Sequence, residues 1–178
     1  VGVRPMGMGG AYIGVADDAN DPLWNSAGMT HLTKRELIAT YSTLYAGLNA
    51  QLFTGETDSL GYHFLSYAQP IPTFAGVLAA SWLFFDSGFY DEQTYVLSYA
   101  KRITPRISGG IGAKVLRVNI ASNAYTQVDA DLASASLART AATVDFSVLY
   151  ALSDRVRLGV IGENLLPADV GILHTEEV

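Results

Sequence analysis

The chain has 178 residues, no cysteine and a net charge of −6, with 49% hydrophobic and only 16% charged residues. The low charge content argues against a disordered chain. The acidic balance argues against binding nucleic acid through its phosphates, and the missing cysteines exclude a disulfide framework, a thiol nucleophile or a thiolate metal site. Mean hydropathy, +0.22, lies between values for soluble domains and helical membrane proteins. Residues 68–85 carry no charge but are split by Pro70 and Pro72, so they make a poor spanning helix.

In chain order, residues 1–29 read as no regular element. They are rich in glycine and small residues, and they carry Asp17, Asp18 and Asp21. A phosphate-cradling loop fits badly, because no Gly-Lys-Ser/Thr ending follows and the acidic groups would repel phosphate. A calcium loop at Asp17-Asp18-Ala-Asn20-Asp21 has oxygen ligands but lacks the twelve-residue spacing with a closing Glu. A structural role ranks above both. No secretory signal peptide is visible, and the start at Val1 raises the expectation of a removed leader.

From residue 36 onward the apolar residues alternate with period two, which marks strands with two unlike faces. Glu36–Tyr45 and Gly47–Thr54 are expected to form a first hairpin near Ala46-Gly47. Leu60–Ala68, Thr73–Phe85 and Gln93–Lys101 follow. In the last, Tyr95, Leu97 and Tyr99 oppose Val96, Ser98 and Ala100. Over Arg106–Ile120, Ile111, Ala113 and Val115 oppose Gly110, Gly112 and Lys114; the pattern then inverts at Leu116, Val118 and Ile120, which predicts a bulge or an end effect. Arg139–Leu152 sets Val144, Phe146 and Val148 against Thr143, Asp145 and Ser147, and a Ser153-Asp154 turn leads to Val156, Leu158 and Val160. The total is about eight strands, many of the roughly 9 to 11 residues that cross a membrane. Pro70–Thr73, Thr104-Pro105 and Ser153-Asp154 read as short turns, whereas Phe85–Glu92 and Asn119–Ala138 read as long polar loops. Short turns on one side, long loops on the other and aromatic residues near strand ends match an outer-membrane barrel. A soluble antiparallel barrel or sandwich that binds a ligand in its core is the alternative.

The stretch Arg4-Pro-Met-Gly-Met-Gly-Gly-Ala-Tyr-Ile-Gly-Val-Ala-Asp-Asp-Ala-Asn-Asp-Pro-Leu-Trp-Asn-Ser-Ala-Gly-Met resembles the opening of FadL/TodX-like and PorV/PorQ-like outer-membrane proteins. The segments at Tyr95, Ile107, Val144 and Leu158 resemble successive strands of that family, so the likeness runs along about the whole chain. Gly7, Gly9, Gly10, Asp17, Asp18, Asn25, Ala27 and Gly28 fall on the motif. The resemblance implies an all-β fold: an antiparallel transmembrane barrel of about fourteen strands in the bacterial (Gram-negative) outer membrane. Residues 1–33 would form a plug or hatch in its lumen and residues 34–178 the wall strands. On this reading the chain is the N-terminal part of a longer barrel, a complete eight-stranded barrel being the competing explanation. The implied function is passive diffusion of small hydrophobic molecules, such as long-chain fatty acids. The alternative is a PorV-like barrel that binds or shuttles secreted proteins. Membrane lipid, a small hydrophobic ligand and secreted proteins are the implied partners; nucleic acid is not. Where the family has Asn-Pro-Ala, this chain has Asn25-Ser26-Ala27, which predicts a looser turn.

Four charged residues fall on the expected lumen face: Lys114, Asp145, Arg157 and Glu163. Solvation and register explain them adequately, and an ion-pair network of Asp145 with Lys114 or Arg157 is a further reading. His31, His63 and His174 have no ligand spacing, and no Ser-His-Asp set stands out. No catalytic residue, metal site or cofactor is assigned.

Overall fold

The computed structural model describes residues 1–44, 60–122 and 124–172. Seven strands form one antiparallel meander in chain order, curved as half of a barrel. They are β1 (Glu36–Thr43), β2 (Gly61–Ile71), β3 (Gly76–Asp86), β4 (Tyr90–Arg102), β5 (Ile107–Ile120), β6 (Ala138–Ala151) and β7 (Arg157–Gly162). Five of them are 11 to 14 residues long: β2 (11), β3 (11), β4 (13), β5 (14) and β6 (14). No helix among the described residues is long and apolar enough to cross a membrane, which says nothing of strands.

The period-two pattern sorts the side chains as the pleat demands. On β4, Leu97 is 61% exposed while Ser98 is 1% exposed. On β5, Ile111 and Val115 are exposed while Lys114 is buried. The covered face is small or polar over much of its area, with Ser66, Ser81, Ser98, Ser108, Lys114, Thr143, Asp145 and Ser147 all buried on it. The open face carries Leu65, Tyr67, Tyr95, Leu97, Ile111, Val115, Phe146, Leu158 and Val160. Charged residues on that face lie near strand ends, at Asp86, Asp91, Lys101 and Arg117.

The N-terminal segment covers the inner face. It comprises a short helix α1 (Val3–Gly7) and two 3-10 helices, Asp21–Leu23 and Ser26–His31. Ser26–His31 packs chiefly on β4 and β5 and also on β6. A small apolar core joins Ala19, Met29 and Leu32 of this segment to Ala68, Val77, Ala79 and Ala100 of the sheet, with Ile38 packed against it.

Two local expectations are corrected, and a third, the first hairpin, falls outside the described residues. β1 pairs with Gly61–Ala68; the expected partner, Gly47–Thr54, lies outside the described residues. The long loop expected at Phe85–Glu92 is a tight turn, because β3 and β4 stay paired out to Asp86 and Asp91. Gly88, at φ 73, turns the corner, the Asp86 carboxylate accepts the Gly88 N–H (3.0 Å), and the Ser87 hydroxyl donates to the Tyr90 carbonyl (2.7 Å). β5 has no bulge: it pairs with β4 and β6 without a break from Ile107 or Ser108 to Asn119. Leu116 and Val118 stay on the inner face, which turns apolar there. Between β5 and β6 the chain forms two short helices, α2 (Ala124–Val128) and α3 (Ala130–Ser134).

Candidate functional site

The candidate site is a cavity of about 430 Å³ between the N-terminal segment and the sheet, within the size range of small-ligand pockets. Ile13, Leu23 and Trp24 face it from the segment; Leu83, Leu116 and Ile161 face it from the wall. Its polar residues are Thr94, Lys114, Glu163 and Asn164, and Val1 also lines it.

Register builds the charged floor. Lys114 lies opposite Thr143, and Asp145 lies opposite Gly112, so the two charges are diagonal neighbours on one face. The Lys114 ammonium is 2.6 Å from Asp145 and 3.3 Å from Glu163. Glu163 reaches across β6 because the chain stays beside that strand after β7 ends. Asn164 adopts φ 53 and donates its N–H to Asp145 (2.8 Å), and the Leu165 N–H then bonds the Val144 carbonyl (2.9 Å). Asp145 therefore has both an ammonium and a backbone donor, as a buried carboxylate requires.

Arg157 is placed elsewhere. It pairs in register with Ala151, six positions along β6 from Asp145, and among the described residues it makes no ion pair with Asp145. It lines a cleft with Ala11, Gly14, Val15, Asp17, Asp154 and Arg155.

The motif residues hold the segment together and seat it on the wall. Arg4 binds Asp17 (2.5 Å) and Asp18 (2.8 Å) and lies over the Tyr12 ring. Burial alone would raise Asp18, but the Asn20 backbone N–H and the Arg4 guanidinium outweigh it and hold the carboxyl below its ordinary range. Asp21, fully buried, accepts from the Tyr12 hydroxyl (2.8 Å). Burial, reinforced by the nearby Asp18 and Asp17, pushes its carboxyl well above the ordinary range despite that bond. Asn25 donates to the Ile13 carbonyl (2.8 Å) and accepts from the Ala27 N–H (3.2 Å). Gly9 and Gly10 have positive φ, and Gly7 lies in open space. Gly28 is required by contact, since a Cβ there would lie 2.4 Å from the Ala16 carbonyl oxygen.

Ser26, expected to loosen its turn, anchors it. It is buried, and its hydroxyl shares a hydrogen bond with Ser147 (2.9 Å), which also accepts from the Ala27 N–H (3.0 Å). Thr30 pairs with Ser108 (2.7 Å). Opposite this row, a Cβ on Gly110 would lie 2.5 Å from the Ala27 nitrogen, so the two backbones meet with no side chain between them. Among the described residues, no group of three His, Cys, Asp or Glu is arranged to hold a metal ion.

Sequence reasoning missed the apolar lining (Trp24, Leu83, Leu116) and the docking pair Ser147 and Gly110. The available signal was the run of small residues on one face of β4, β5 and β6. No family model, curated protein or solved structure matches the chain.

Proposed function

We propose that the chain belongs to an outer-membrane β-barrel that lets small hydrophobic molecules diffuse across the membrane past its N-terminal segment. The observation that carries this reading is the distribution of polarity over the two faces. A soluble barrel buries apolar side chains inside and wets its outside. Here the covered face holds serines, threonine, lysine and aspartate, while leucine, isoleucine, valine and aromatic side chains stand open on the other. An exposed apolar surface of this kind calls for a partner, and lipid fits strands of 11 to 14 residues. The resemblance of residues 4–29 to FadL-like openings supports the same reading. An apolar molecule would enter the cavity beside Trp24 and Leu116, and displacement of the N-terminal segment would open its exit.

The test has two arms. The purified chain should need detergent for solubility and should migrate differently on gels before and after heating; a monodisperse monomer without detergent overturns the barrel. Expression in a Gram-negative host should speed entry of an apolar fluorescent dye that the outer leaflet normally slows. No change in entry overturns transport, and capture of a secreted protein in its place would favour the shuttle.

A further inference from the structure

We propose that the rim of the sheet at which β1 begins binds the headgroups of anionic phospholipid. This rests on the barrel reading and names the lipid class that one rim of the wall meets. Antiparallel pairing brings four stretches of chain to that rim: the entry to β1 and the β2–β3, β4–β5 and β6–β7 turns. Seven of the chain's eleven lysines and arginines gather there. Lys34 and Arg35 precede β1, and Lys101, Arg102 and Arg106 flank the β4–β5 turn. Arg155 lies in the β6–β7 turn and Arg157 opens β7. All seven are exposed, and among the described residues none forms an ion pair. Arg102 donates to the Thr30 carbonyl (3.3 Å). The acidic side chains at this end are Glu36 and Asp154, together with Asp17 and Asp18 of the N-terminal segment, which Arg4 already holds. The opposite rim has the reverse balance: Asp86, Asp91, Glu92, Asp129 and Asp131 outnumber Arg117 and Arg139.

Two features favour a lipid surface over an acidic protein. The basic groups border the open apolar face, and the turns between them expose Ile103 (66%) and Leu152 (53%). Phosphates lying directly beside hydrocarbon suit that mixture, because lysine and arginine stems cover apolar surface while their charged ends reach the headgroups. The charges are also spread along an arc of strand ends, from β1 to β7, instead of lining one cleft. An arc matches a plane of many phosphates better than a single anionic group.

Flotation of the full chain with vesicles tests this, the vesicles being phosphatidylcholine alone or with about 30% phosphatidylglycerol. Half of the chain should float at about tenfold less lipid when phosphatidylglycerol is present, and about 1 M salt, with a screening length of about 3 Å, should abolish the difference. Inorganic phosphate at constant ionic strength should not compete; competition would assign the rim to free phosphate and overturn the lipid assignment. Arg35→Gln, Lys101→Gln and Arg106→Gln together should cut the preference to about threefold or less while flotation with phosphatidylcholine is kept. Adding Asp86→Asn, Asp91→Asn and Asp129→Asn restores the parent net charge at the far rim, and the preference should stay low. Equal flotation of the parent with both vesicles, a preference kept without the three basic residues, or its recovery with net charge overturns the inference and leaves the barrel reading standing. Flotation with neither vesicle overturns the barrel reading as well.

Discussion

Two acidic residues, buried Asp21 and part-buried Asp18, do opposite things to stability. The folded state holds the Asp21 carboxyl above its ordinary range, so it binds a proton more tightly than the unfolded chain does. Stability contributed at this position is present in acid and is lost as pH rises from about 4, the unfolded carboxyl value, through the folded value. Asp21→Asn keeps an acceptor for Tyr12 and removes the charge. Its melting temperature should exceed that of the parent at neutral pH, and the difference should vanish as pH falls to about 4. Melting followed by circular dichroism checks this, and a variant no more stable at neutral pH contradicts it. Asp18, held low by Asn20 and Arg4 against its burial, contributes in the other direction, and its share is lost below the ordinary carboxyl range. Lys114 is different again, because it is the counter-charge for Asp145. Lys114→Met should cost about 3 kcal/mol or more by stranding that buried carboxylate. Lys114→Met with Asp145→Leu should recover most of the loss, which a melting comparison of parent, single and double variants would reveal.

Among the elements, β4, β5 and β6 carry most of the contact with the N-terminal segment, and Gly110 sets the distance. Gly110→Val should push Ser26 and Ala27 off Ser147, destabilise the packing by about 1–3 kcal/mol and expose the segment to protease while the strands stay protected. On the opposite face, Leu97→Arg should impair insertion into lipid vesicles by about 2–4 kcal/mol if that face meets hydrocarbon near mid-membrane; unchanged insertion would argue for a different partner. The strands of this region were legible because polar and apolar residues alternate cleanly, as in Val144–Tyr150. Diagonal placement of Lys114 and Asp145 also followed from alternation once neighbouring strands were paired. Other features were hidden for physical reasons. Leu116 and Val118 imitate a change of face because the inner wall becomes apolar where it borders the cavity. Asp91 and Glu92 imitate a loop, yet they sit in β4, where Asp91 accepts from Asn119 (2.9 Å) and Glu92 from the Tyr90 hydroxyl. Alternation put Glu163 on the same face as Lys114, but its contact with that ammonium (3.3 Å) lies beyond the end of β7, where alternation assigns no partner.

At the scale of the whole molecule, the contact between Ser26 and Ser147 joins residues 121 positions apart. The segment is made first, but the wall that seats it includes β6, which is made much later. Closing so long a loop is entropically costly until the intervening hairpins have shortened the path. Docking therefore follows sheet formation, and until then Tyr12, Met29 and Leu32 lack the cover they have in the finished fold. A carrier that keeps the chain from aggregating before assembly must shield this leading segment for the longest time, although it forms no part of the sheet.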